Sequence, residues 1–283
     1  MKRIEYTEEL QRQCADWKAK GLKIGLVPTM GYFHDGHLAL MDHARSQCDK
    51  LVVTLFVNPT QFGPNEDLDA YPHDLERDSQ LAWDHGADLL FAPKPDAMYA
   101  PDHATWVEVP ELAQNLCGAS RPIHFRGVCT VVMKLFMLVQ PHVAVFGQKD
   151  WQQQAILKRM VRDLNIPVEI QGHPIVREQD GLALSSRNAY LTQEERAHAP
   201  FIRKALLAAR EQAQQGETNA EAIKKSIRQS LERDIPMGEA EYIEMVDPDN
   251  IRPVTAVTNP ALIAVAVRLG KARLIDNILI KVD

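Results

Sequence analysis

Between residues 22 and 164, short apolar runs alternate with amphipathic stretches of helical period, a rhythm that narrows the choice of fold more than any other property of the chain. Leu22-Lys23-Ile24-Gly25-Leu26-Val27 has the length and pattern of a strand. Pro28 and Gly31 break it before a helical stripe of Leu38, Met41, Arg45 and Cys48. Leu51-Val52-Val53-Thr54-Leu55-Phe56-Val57 is too short and too β-branched for a helix; it stops at Asn58-Pro59 and reads as a strand buried on both faces. An amphipathic stretch from Asp74 to His85 ends at Gly86, and Leu89-Leu90-Phe91 gives a third short strand. A helix carrying Val128, Val131, Val132, Leu135, Phe136 and Val139 closes at Pro141. Val143-Ala144-Val145-Phe146 then reads as a strand and Trp151 to Leu164 as a helix. Strands alternating with helices of these lengths predict an α/β fold with a doubly wound parallel sheet.

After about Val176 the rhythm changes. Thr192 to Gln215 and Ala220 to Arg233 read as two charged amphipathic helices, and Glu241 to Val246, Leu262 to Leu269 and Ile275 to Val282 as strands at hairpin-like spacing. The total of 283 residues agrees with two units at roughly 150 residues each. Residues 1–176 are expected to form the sheet domain and 177–283 a smaller α+β domain, the join lying between Val168 and Gly181 where Gly172 and Pro174 interrupt the pattern.

Composition removes several classes. Hydrophobic residues at 45% and charged residues at 25% exclude collagen-like and disordered chains. Lys and Arg total 32 against 38 Asp and Glu, a net charge of -6, so no nucleic-acid partner is expected and any anionic ligand must be held by a local cluster. Cys14, Cys48, Cys117 and Cys129 form no CxxC pair, which argues against a disulfide framework or zinc knuckle and for a reducing cytoplasm. The opening residues lack the apolar core of a signal peptide. No apolar run approaches the ~20 residues that span a bilayer, so membrane insertion is not expected.

In open α/β sheets, ligands sit beyond the carboxyl ends of the parallel strands, so polar residues just after strands carry most weight. After the first strand, His34 and His37 flank Gly36 where loop becomes helix, and both imidazoles and the free N–H groups of the first turn can face one anion. A metal pair lacks a nearby third ligand, and ordinary capping histidines are the bland alternative. Gly31 and Gly36 favour the anion, because they let backbone approach a ligand closely. After the later strand, Lys149 and Asp150 open a helix. Asp150 with Gln153 fits a capping box, yet a lysine at a helix N-terminus is electrostatically unfavourable without an anion nearby. Asn58 and Gln61 offer neutral amides after the second strand, although Asn58-Pro59 is by itself a turn former. Leu184-Ser185-Ser186-Arg187 supplies two hydroxyls beside a guanidinium, a donor set for phosphate oxygens or simply a polar loop. GxSxG, GxGxxG and GxxxxGK[ST] are absent, which argues against a serine nucleophile, a dinucleotide fingerprint and a P-loop.

Pro28-Thr29-Met30-Gly31 through His34-Asp35-Gly36-His37 resembles the HxGH signature of the nucleotidylyltransferase superfamily. Together with Phe56-Val57-Asn58-Pro59-Thr60-Gln61-Phe62, His124-Phe125-Arg126-Gly127-Val128, Phe146-Gly147-Gln148-Lys149-Asp150 and Leu184-Ser185-Ser186-Arg187-Asn188, in that order and spacing, it is similar to the pantothenate synthetase (pantoate–β-alanine ligase) family over essentially the whole chain. Tyr32-Phe33 and Gln148 depart from the commoner family form. The resemblance implies a Rossmann-like fold and an ATP- and Mg²⁺-dependent condensation of pantoate with β-alanine through a pantoyl-adenylate, releasing pyrophosphate and AMP. It implies a cytoplasmic homodimer, with 177–283 as a lid over the ATP- and pantoate-binding domain. It further implies His37 as proton donor, assisted by His34, Lys149 and Arg187. ATP would be surrounded by Met30, Gly31, Tyr32, Phe33, His34, Asp35, Gly36 and His37, by Gly147, Gln148, Lys149 and Asp150, and by Val176, Leu184, Ser185, Ser186 and Arg187. Gln61 and Gln153 would hold pantoate, Gln61 also touching β-alanine. The ligands of any Mg²⁺ stay unassigned.

Overall fold

The computed structural model describes residues 2–64 and 66–281. In the first part, β1 (Lys2–Ile4), α1 (Thr7–Ala19), β2 (Ile24–Thr29), α2 (Asp35–Arg45), β3 (Lys50–Leu55), α3 (Leu75–Asp84) and β4 (Leu89–Phe91) follow one another. The single turns α4 (Pro95–Met98) and α5 (Cys117–Ser120) lead to α6 (His124–Val139), β5 (Val143–Gly147), α7 (Trp151–Asp163) and β6 (Glu169–His173). The strands form one six-stranded sheet in the order β1-β4-β3-β2-β5-β6, every adjacent pair parallel. The expected doubly wound sheet is therefore present. Its alternation is physical: Leu26, Val52, Leu89 and Ala144 join a core with α6 on one face, while Val27, Leu51, Leu90 and Val143 join Met41 and Ala44 of α2 on the other. Burial on both faces is what makes these strands read as continuous apolar runs.

The two edge strands escape the sequence pattern. β1 is Lys-Arg-Ile and β6 is Glu-Ile-Gln-Gly-His, and neither shows an apolar run, because an edge strand is covered less completely than a central one. Helix α1 escapes it too, carrying only Leu10 and Cys14 as buried residues.

The second part contains α8 (Gln193–His198), α9 (Phe201–Gln214), α10 (Ala220–Asp234) and an antiparallel sheet of β7 (Gly238–Val246), β8 (Ala261–Leu269) and β9 (Ala272–Ile280) in the order β7-β8-β9. The single helix expected from Thr192 to Gln215 is two helices, broken at Ala199-Pro200, since proline has no N–H to continue the ladder. Thr192 starts α8 with a capping box to Glu195, and Asn219 caps α10. Val282, expected to close the last strand, lies outside the described residues. Among the described residues no helix is long and apolar enough to cross a membrane.

The second part is fixed to the first by apolar packing and by polar clamps. Val246, Ile251, Leu262 and Ala264 belong to the same core as α6 and the parallel strands, while Ile263, Val265 and Val267 of β8 pack with α9 and α10. Trp151 Nε1 donates to the Pro248 carbonyl at 2.9 Å. Asn277 Nδ2 donates to the carbonyls of Gln148 and Lys149 at 2.9 and 3.0 Å. Arg177 forks onto buried Asp276 at 2.7 and 2.8 Å, tying the connecting segment to β9. Asp276→Ala leaves that guanidinium without its carboxylate, and a loss of about 3 kcal/mol is expected in urea unfolding. An unchanged midpoint would show the pair to be dispensable.

Candidate active site

Strand β2 is where the order of the sheet reverses: the chain leaves it toward β3, and β5 later docks on its other side. Such a reversal leaves a crevice at the carboxyl ends of the strands. Here the register shows it opening. β2 pairs with β3 as far as Thr29↔Leu55, but with β5 only at Gly25↔Val143 and Leu26↔Ala144. Beyond Leu26 the two strands part, and the loop after each one enters the gap.

The loop from Met30 to His37 is held by backbone capture. Gly31 has φ +88° and Tyr32 φ +54°, so two successive residues lie in the left-handed region. Their turn is stabilised from α3, where fully buried Asp78 accepts from Tyr32 N–H at 2.5 Å and Phe33 N–H at 2.8 Å. Thr29 Oγ1 accepts from Gly31 N–H at 3.2 Å and donates to the Thr54 carbonyl at 2.6 Å. A β-carbon at Gly36 would stand 2.8 Å from His34 Cε1, so only glycine lets that imidazole lie across the start of α2.

Both histidines cap the helix. His34 Nδ1 accepts from Gly36 N–H at 3.1 Å, and His37 Nδ1 accepts from His34 N–H at 3.4 Å. A nitrogen that accepts carries no proton, so in each neutral ring the proton sits on Nε2. Burial, then the positive charge of Lys149, pushes the His34 pKa down to about 4. Burial, then His34 and Lys149, pushes His37 down to about 3. Both rings are thus neutral Nε2–H donors near pH 7, and capping and ligand binding are compatible because they use opposite nitrogens.

At the end of β5, Gly147 leads into a 3-10 turn over Gln148–Asp150 and then α7. Asp150 occupies the N-cap position of α7 but accepts no capping hydrogen bond, so the Asp150–Gln153 capping box that the sequence allowed is not formed, and Asp150 lines the cavity. Lys149 lines the same cavity and makes no ion pair among the described residues. From the second part, Leu184 N–H donates to the Val176 carbonyl at 3.0 Å, and Ser185 Oγ accepts from Arg187 N–H at 3.3 Å. Ser186 Oγ lies 3.3 Å from Tyr71 OH. Arg187 is forked onto Asp67 at 2.9 and 3.1 Å, a carboxylate partner absent from the sequence reading.

Buried Asn58 is fully engaged: its Nδ2 donates to Gln61 Oε1 and to the Gly127 carbonyl at 3.1 Å each, and its Oδ1 accepts from Tyr99 OH at 2.9 Å and Thr60 Oγ1 at 3.0 Å. It begins the 3-10 turn Pro59–Gln61. Its work is to aim Gln61, whose Nε2 lies 3.0 Å from Met30 Sδ.

Of the residues singled out from the sequence, Met30, His34, Gly36 and His37 line one cavity with Gly147, Lys149 and Asp150, with Gln61 and Gln153, and with Val176, Leu184, Ser185, Ser186 and Arg187. Five others do not line it. Gly31 and Tyr32 form the turn behind it, Phe33 is core at 1% exposure, Asp35 is exposed, and Gln148 offers its carbonyl to Asn277 instead. Sequence reasoning missed Asp78, Asp67, Tyr71 and Arg121, the last of which lines the cavity and donates from Nη2 to the Gln61 carbonyl at 3.3 Å, because each acts from a loop or helix whose approach to the crevice is set by tertiary packing; the one legible trace was an aspartate on the otherwise apolar face of α3. Among the described residues no group of three or more His, Cys, Asp or Glu could hold a metal ion.

The family model of pantoate-beta-alanine ligase matches residues 2–279. The chain belongs to the pantoate-beta-alanine ligase family. The resemblance carried by its motifs is borne out, and the protein is an enzyme of the ligase class. Pantothenate synthetase of Maridesulfovibrio salexigens is 64% identical over 282 residues, covering 100% of each chain. The crystal structure of pantothenate synthetase from Thermus thermophilus is similar with a TM-score of 0.91 at 46% identity, covering 98% of this chain and 99% of that one. The pantoate-beta-alanine ligase of Francisella tularensis, crystallised with beta-gamma ATP and beta-alanine, has a TM-score of 0.81 at 34% identity, covering 99% and 97%.

The low histidine pKa values give this ligase a characteristic acid response. An unfolded histidine titrates near 6.5, above both folded values of about 4 and about 3, so the unfolded chain binds more protons in that window and stability falls as pH drops through it. The double variant His34→Gln, His37→Gln is expected to lose less stability between pH 7 and pH 4 than the parent, measured by urea unfolding at each pH. Parallel curves would contradict the assignment.

Proposed function

We propose that this chain joins the carboxylate of pantoate to ATP, releasing pyrophosphate and forming a pantoyl-adenylate, and then passes the acyl group to β-alanine with release of AMP. The observation that carries the reading is the convergence of two neutral Nε2–H donors, His34 and His37, with Lys149 and Arg187 on one crevice whose floor is apolar and whose amides are uncharged. Pantoate is a dihydroxy acid with two methyl groups on one carbon. Val128, Val131, Val132 and Leu135 of α6 suit those methyls, and Gln61 and Gln153 suit the hydroxyls and carboxylate without adding charge. A phosphorylated acceptor would need cations where these amides stand.

When the carboxylate oxygen attacks the α-phosphate, negative charge grows on the phosphate oxygens and on the departing pyrophosphate. Lys149 supplies positive charge there, and His34 and His37 supply hydrogen bonds from Nε2, with His37 as proton donor by its place in the motif. Arg187 enters by exchanging Asp67 for a phosphate oxygen, both being matched to a fork of donors. Ser185, Ser186 and the Asp150 carboxylate complete the nucleotide contacts, Asp150 toward ribose hydroxyls. Among the described residues no group of three or more His, Cys, Asp or Glu could hold a metal ion, and Mg²⁺ is read as travelling with the triphosphate. Residues 177–283 serve as the lid in this reading, because Leu184 to Arg187 reach the crevice from that side and exclude water from a hydrolysable mixed anhydride.

Purified protein with ATP and Mg²⁺ is expected to exchange labelled pyrophosphate into ATP when pantoate alone is added, and to accumulate AMP through repeated turnover only when β-alanine is also present. His37→Gln should cut the pantoate-dependent exchange about 100-fold with its melting temperature within the range of the parent. Exchange indifferent to pantoate would overturn the reading.

A further inference from the structure

We propose that His124, through Nε2, accepts the proton that the amine of β-alanine sheds as it attacks the acyl-adenylate, an inference that rests on the reaction proposed above. His124 belongs to a motif that the site as described leaves without a chemical role. It is the first residue of α6, and its Nδ1 lies 3.0 Å from the main-chain carbonyl oxygen of Gln61. A carbonyl oxygen only accepts, so Nδ1 carries the proton and Nε2 of the neutral ring carries the lone pair. This is the reverse of His34 and His37, whose Nδ1 atoms accept from backbone N–H groups. Two of the cavity's imidazoles therefore offer protons and the third offers a base.

Position supports the assignment. A second cavity adjoins the first, opening between the N-terminal end of α6 and the β8–β9 hairpin, and Arg121, His124, Lys149, Asp150, Gln153 and Arg187 line both. With the adenylate in the first cavity, a second reactant arriving through the other meets the acyl carbon at this shared wall. Lys271 on the outer side suits the carboxylate of a small amino acid. Nε2 makes no hydrogen bond among the described residues. Burial, then the neighbouring Arg121 guanidinium, holds the His124 pKa down to about 4, so the ring is unprotonated at neutral pH.

Atoms and charge balance across the step. β-Alanine enters as an ammonium and loses one proton to solvent. Its nitrogen then forms the C–N bond, the C–O bond to the phosphate breaks with its electron pair leaving on AMP, and the second proton moves from nitrogen to His124 Nε2.

The test separates the two half-reactions. His124→Asn keeps an N–H near the position of Nδ1 for the Gln61 carbonyl and removes the base. Pantoate-dependent pyrophosphate exchange is expected to stay within about threefold of the parent, while single-turnover amide formation from preformed pantoyl-adenylate and β-alanine falls about 100-fold. Equal losses in both half-reactions would show a merely positional role and overturn the proposal, as would undiminished amide formation. A parent enzyme lacking pantoate-dependent exchange would instead overturn the reaction on which the inference rests.

Discussion

Everything at the site follows from the parting of β2 and β5. Their hydrogen bonding ends at Leu26↔Ala144, whereas β2 stays paired with β3 to Thr29↔Leu55. A parallel sheet that reverses its winding must leave a gap there, and the main chain entering the gap needs partners for its N–H groups. Buried Asp78 satisfies two of them at Tyr32 and Phe33, and the His34–His37 capping box satisfies two more. With those donors consumed internally, what remains for a ligand is the outer nitrogen of each imidazole. The same contacts that terminate the strand and start the helix thereby fix which nitrogen of each imidazole is left free in the crevice.

The electrostatic design separates charge from hydrogen bonding. Lys149 is cationic and unpaired among the described residues, whereas Arg187 is held by Asp67 and the histidines are held neutral by burial. A crevice of four free cations would bind polyphosphate strongly in reactant and product alike, and uniform binding does not raise a rate. Neutral donors aimed at the places where charge develops favour the transition state over the reactant. In the proposed reaction Arg187 would have a carboxylate, Asp67, to return to once a charged product leaves.

How much of this was legible depended on whether the determinant was local. The central strands were readable because burial on both faces demands continuous apolar residues, and Leu51 to Val53 and Val143 to Val145 obey that demand. The edge strands β1 and β6 obey no such demand and left no pattern. The motif residues at the ends of β2 and β5 were found from their place after strands. Asp150 shows the limit of such reasoning: its sequence fits a helix cap, yet the 3-10 turn before α7 carries its carboxylate away from the N–H groups it would have capped. Phe33 shows the converse. It sits inside the motif by number, but the left-handed turn at Gly31 and Tyr32 rotates it into the core beneath α2, so membership of a motif did not mean contact with the cavity.

The opposed tautomers of the three cavity histidines illustrate how a fold assigns chemistry without changing residue type. The decisive partner is in each case a main-chain atom: an N–H for His34 and His37, a carbonyl for His124. Helix geometry explains the difference. His34 meets an N–H of the first turn of α2 and His37 meets the N–H of the N-cap residue His34, while His124 looks back from the start of α6 to the carbonyl that ends the 3-10 turn Pro59–Gln61. No inspection of the sequence could distinguish these environments, because the pairing of α6 with that turn is made across 63 residues of chain. Placing Gln61 between them makes its side chain and its carbonyl serve different partners: the amide faces the first cavity while the carbonyl orients the imidazole at the wall shared with the second. In the proposed two-step reaction, the order of the half-reactions would follow the order of these residues from the crevice outward.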